Sequence, residues 1–123
     1  MQILEFIGRI FISLIFLIAG VGKIVNYEGT IGYMESFGVP GYLLIPAIII
    51  EILFPLLVII GYKTKLAALV LALFSALLAI IFHTDFSNQM QLMSFLKNFA
   101  IAGGFLVIFV RGAGKYSIDQ RPN

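Results

Sequence analysis

The segment IPAIIIEILFPLLVIIG, Ile45 to Gly61, is hydrocarbon almost throughout, yet it holds one carboxylate, Glu51, near its middle. A charge at the centre of a membrane-spanning helix costs on the order of 2.5–3.5 kcal/mol on insertion scales, so such groups turn toward other helices and pair. At ~1.5 Å per residue, Glu51 falls near the midplane, Arg9 lies ~6 Å to one side and Lys97 ~6–8 Å to the other. This spacing predicts a buried polar network of Glu51 with Arg9, Lys97 or both. Ser13, one turn beyond Arg9 on the same helix face, and Asn98, next to Lys97, are placed to satisfy remaining hydrogen bonds. Two kinds of chemistry suit such a network: it fixes helix register, or it positions the polar atoms of a ligand and moves protons.

His83 is the only histidine, and Asp85 follows it closely where an apolar run ends. One imidazole relays a proton or hydrogen-bonds a quinone oxygen. It cannot supply bis-histidine haem ligation within one chain, and His83 with Asp85 alone is too thin for a metal site, so no metal is expected. Lys23 ends the first apolar run on the same face. Lys23, His83 and Asp85 are therefore the candidate access route for protons or ligand at the outer face. The segment AGVGK, Ala19 to Lys23, imitates the end of a phosphate-binding loop, but it lacks the earlier glycine and the following Ser or Thr.

The elements that must carry these residues follow from composition. Of the 123 residues, 61% are hydrophobic and only 11% charged, with a mean hydropathy of +1.08; soluble domains carry ~25% charged residues. Four apolar runs, about 3–24, 42–60, 66–82 and 92–110, each approach the ~20 residues needed to cross a bilayer. The expected fold is all-α: an integral membrane four-helix bundle forming a single transmembrane domain over residues 1–123. The start MQILEF lacks the basic region of a signal peptide, so the first run reads as a span. Arg9, Lys63, Lys65, Arg111, Lys115 and Arg121 fall on the side of the termini, against Lys23 and Lys97 on the other, and the positive-inside rule then places both termini in the cytoplasm. The basic residues form no dense patch, which argues against nucleic acid as a partner.

Within this frame, Pro46 and Pro55 flank Glu51 and are expected to bend their helix there. Thr30, Tyr33, Met34 and Phe37 recur at helical spacing in the first connection, predicting a short helix at the membrane interface before Gly38, Pro40 and Gly41 turn the chain back. Ala68, Ala72, Ala76 and Ala79, and separately Ala100 and Gly104, form small-residue stripes that allow close helix approach. Zero cysteines removes thiol redox chemistry, so any redox role must use a bound cofactor or a partner.

The order GRIFISLIFLIAGVGKI, YMESFGVP, Glu51, GYKTK, FLKNFAIAGG and GAGKYSIDQR resembles the DoxX family of small bacterial membrane proteins over essentially the whole chain. The resemblance implies a four-helix inner-membrane protein related to the DoxD subunit of thiosulfate:quinone oxidoreductase, in a family linked to membrane redox complexes. The cysteine pair of some relatives is missing. Two functions suit these features. One is a redox-linked subunit that binds quinone among its helices, near Phe16 and Phe54, with the headgroup between Glu51 and the level of Lys97 and Asn98. The alternative is a noncatalytic scaffold or assembly partner for another protein; a homo-oligomer is a separate expectation for the chain's partners.

Overall fold

The computed structural model describes residues 2–114 and 117–119. Lys115 and Arg121, counted above among the basic residues, lie outside the described residues. Helix α1 (Gln2–Val25) is followed by the short α2 (Tyr27–Ser36), a single 3-10 turn (Gly41–Leu43), α3 (Leu44–Ile60), α4 (Thr64–Phe82) and α5 (Gln89–Arg111). The four long helices are each apolar and long enough to cross a membrane. Among the described residues there is no strand. The two ends of the bundle are called here the terminal end, which carries the start of α1 and the end of α5, and the far end, which carries α2.

A single stripe of α1 organises its packing. Arg9, Ser13, Phe16 and Gly20 are all buried and recur at three- and four-residue spacing, the period that aligns side chains on one helix face. The matching stripe of antiparallel α3 is Leu44, Glu51, Pro55 and Val58. Close approach depends on Gly20, because a Cβ there would lie 2.8 Å from Ile52 Cγ1. Helix α4 buries Ala67, Ala68, Leu71, Ala72, Ser75 and Ala79 at the centre of the bundle and carries α5 on its other side. Phe16 and Phe105 meet across this core with ring centroids 5.8 Å apart.

The prolines of α3 are unequal. Pro46 lies in the first turn, where the N–H it lacks would have no intrahelical acceptor, so the bend expected from it has no basis. Pro55 is interior, and the donor it removes is the one that would bond the carbonyl of Glu51 four residues earlier.

At the terminal end, the turn Gly61 to Lys63 joins α3 to α4, and its polar groups are taken up from outside. The last carbonyls of α3 need donors. Leu57 receives the N–H groups of Gly61 and Tyr62. Arg9 Nη1 donates to Val58 at 2.8 Å and to Ile59 at 3.2 Å. Ile118 N–H donates to Ile60, and Asp119 N–H to Gly61 at 2.7 Å. The Asp119 carboxylate in turn accepts from the N–H groups of Lys63 and Thr64, both at 2.8 Å, and from the Thr64 hydroxyl. It thus caps α4 from a distant part of the chain, in the role a local N-cap side chain usually fills. The tail requires glycine at 61: φ is +76°, and a Cβ would run into Ser117 and Arg9.

Partial burial opposes ionisation of Asp119, but the hydrogen bonds from Thr64 and Lys63, with the charge of Arg9, outweigh it and hold its pKa below the ordinary carboxylate value. A carboxyl depressed on folding stabilises fully above its unfolded pKa, ~3.9, and that contribution is lost as the pH falls through the lower folded value. Asp119→Ala should therefore cost about 1 kcal/mol at pH 7. Thermal unfolding in detergent should show the gap to the parent protein closing as the pH is lowered past this window; a gap independent of pH would separate the cap from the charge.

Candidate functional site

Glu51 is 1% exposed, and its partner is Lys23. Lys23 Nζ donates to Glu51 Oε1 at 2.8 Å, with the lysine side chain 27% exposed. The network expected of Glu51 with Arg9 or Lys97 is thus replaced by a different pair. Side-chain direction explains the change. Side chains on a helix lean toward its N-terminus. Lys23, near the end of α1, leans back into the bundle, while Glu51 on antiparallel α3 leans toward the far end, and the two meet. Arg9 leans away from Glu51, toward the terminal end, where it serves the carbonyls of α3. Its guanidinium also lies 5.3 Å from the centroid of the Phe6 ring.

The remaining predicted residues are dispersed. Lys97 is exposed on α5 and Asn98 is half-buried beside it, so neither belongs to a buried network with Glu51. Ser13 is fully buried, but among the described residues its hydroxyl makes no hydrogen bond; the second oxygen of Glu51 is likewise buried and without one. Asp85 is exposed and accepts from the Ser87 hydroxyl at 2.5 Å. His83 is half-buried, with Nδ1 3.2 Å from Gln91 Oε1. In the Nδ1-protonated tautomer that bond leaves Nε2 as an acceptor.

What the structure brings together is a cavity at the far end, ≈ 380 Å³ in volume, bounded by α1, α2, α3 and α4. Its walls are apolar, including Leu44, Ala47, Ile50, Phe74 and Leu78, and its polar groups are Lys23, Thr30, Tyr33 and His83. Glu51 is not a wall; it stands behind Lys23. Phe16 belongs to the core rather than to this cavity. Helix α2 covers the far side, consistent with the helix predicted in the first connection. Met34 is its buried residue. Tyr33 stacks on Phe82 of α4 with centroids 5.5 Å apart, and Phe37 meets the same ring edge-on at 5.1 Å. Thr30 and Tyr33 were legible as one face of a short helix but not as cavity walls, since that depends on where α2 folds over. Among the described residues, no group of three or more potential metal ligands comes together.

Removing Lys23 would strand Glu51 in a buried position, which typically costs several kcal/mol. Lys23→Met should destabilise by about 3 kcal/mol, the lower end of that range because the lysine keeps some exposure. Adding Glu51→Gln should recover more than half of the loss, whereas Lys97→Met and Glu51→Gln should be additive. Unfolding titrations of the single and double variants in mixed micelles measure both couplings.

The DoxX family profile matches residues 4–84, which spans α1 to α4 and includes Lys23, Glu51 and His83. The inner membrane protein YqjF of Escherichia coli (strain K12) is 41% identical over 117 residues, covering 95% of this chain and 90% of the relative. The inner membrane protein YphA of the same strain is 33% identical over 126 aligned residues, covering 97% of this chain and 90% of that relative. No solved structure matches the chain. The chain belongs to the DoxX family and is a multi-pass protein of the inner membrane.

Proposed function

We propose that this protein is a redox-linked membrane subunit that holds a quinone in the far-end cavity. The observation that carries this reading is the cavity itself: ≈ 380 Å³, with apolar walls and a few polar groups, which is the composition of small-molecule sites. A quinone ring needs flat apolar contact and donors for two carbonyl oxygens. Lys23 is a donor held in place by Glu51, and Thr30, Tyr33 and His83 supply further polar atoms. Reduction of a quinone consumes two electrons and two protons. With no cysteine in the chain, the electrons would come from a partner subunit, and the chain's own contribution is binding and proton supply through Lys23, Glu51 and His83. Lys97 and Asn98 do not line the cavity and have no part in this site.

Binding of a short-chain quinone analogue to the protein in nanodiscs tests the reading. Lys23→Gln should weaken binding at least tenfold, and Ala47→Phe, which fills the cavity from its wall, should abolish it in protein of unchanged unfolding temperature. Lys97→Gln should have no effect. Saturable binding that survives Ala47→Phe would remove the cavity as the site.

One observation favours the scaffold alternative. Lys97 is exposed on α5, eight residues into a membrane-spanning helix, and a partner helix carrying a carboxylate at that depth would relieve its desolvation cost. Orientation is a separate proposal: both termini face the cytoplasm, supported by the clustering of Lys and Arg at the terminal end. In this cysteine-free chain, Ser117→Cys should resist an impermeant thiol reagent added to spheroplasts while Ser87→Cys reacts; the reverse pattern inverts the topology.

A further inference from the structure

A second cavity lies at the terminal end, between α1 and α5, with a volume of ≈ 500 Å³. It exists because α1 packs on α3 and α5 packs on α4, so that α1 and α5 barely touch. Where they approach, Gly104 makes room: a Cβ there would lie 2.5 Å from Ile12 Cδ1. One turn toward the terminal end the groove is open, since nothing lies within 4 Å of a Cβ placed on Gly8. Gly8 and Val107 are both exposed, so the groove opens sideways toward lipid.

Its chemistry changes along its length. The inner part is lined by Ile12 and Val107, and the rim carries Arg9, Arg111 and the carboxylate of Glu5. Lys65 comes close to the same rim, its Cε 3.4 Å from a Cβ placed on Gly112. Cations therefore outnumber the one carboxylate. Arg9 contributes charge while its Nη1 is engaged by the carbonyls of α3. Arg111 is exposed and, among the described residues, forms no ion pair. A basic pocket between membrane helices at the level of their ends is suited to a lipid phosphate.

We propose that this groove binds one anionic phospholipid, with its phosphate on Arg111, headgroup hydroxyls donating to Glu5, and an acyl chain lying along Gly8, Ile12 and Val107. Charge selects the lipid: the rim carries an excess of positive charge that a net anionic headgroup neutralises. The site is independent of the far-end cavity.

Native mass spectrometry of the purified protein, given equimolar phosphatidylglycerol and phosphatidylethanolamine, tests the proposal. One phosphatidylglycerol per chain should be retained, with at least tenfold preference over phosphatidylethanolamine. Arg111→Gln should reduce retention at least tenfold. Gly8→Leu, whose Cβ has open space around it, should do the same by filling the groove, in protein whose unfolding temperature is unchanged. Lys63→Gln, at the same end but outside the groove, should leave retention intact. Equal retention of the two lipids, an equal loss with Lys63→Gln, or full retention by folded Gly8→Leu protein would overturn the proposal.

Discussion

Two cations on one stripe of α1 fix how this bundle assembles. Arg9 and Lys23 are ~four turns apart, and both are answered by α3: Arg9 by the carbonyls of Val58 and Ile59, Lys23 by the carboxylate of Glu51. Neither can be satisfied by lipid tails. A slide of α1 by one turn would break both sets of bonds at once, whereas apolar side chains alone would tolerate it, because lipid tails and side chains are equally good solvents for one another. Register is thus set electrostatically and held sterically, with Gly20 permitting the contact distance.

The same pair connects the fold to the proposed site. Lys23 is both a wall of the far-end cavity and the partner of the buried carboxylate. Pro55 withdraws the helical donor from the Glu51 carbonyl, so the residue sits at a break in the hydrogen-bond ladder of α3 as well as at the depth of greatest desolvation. Structural and functional demands therefore fall on one cation, and the aromatic contacts of α2 with Phe82 hold a cover over it.

The four spans were legible because length and hydropathy are nearly sufficient in a bilayer, and the short α2 because its residues repeat at helical spacing. The burial of Glu51 was legible from depth. Its partner was not, because depth alone ignores that side chains lean toward the helix N-terminus. That lean draws Arg9 away from Glu51 and brings Lys23 to it, while Lys97 is exposed on α5, which packs on α4 rather than on α3. A pattern that held the information was present: Lys23 continues the stripe Arg9, Ser13, Phe16, Gly20. The cap formed by Asp119 carried no local signal, since it joins residues 55 positions apart.

That cap has a consequence for biogenesis. The turn between α3 and α4 leaves the ribosome long before Ile118 and Asp119 do, yet these two residues close its last open carbonyls and donors. Throughout the synthesis and insertion of α5 the turn must be solvated by water and headgroups instead. The newborn bundle is therefore a looser object than the mature one, and its final tightening waits until residues 118 and 119 have been made.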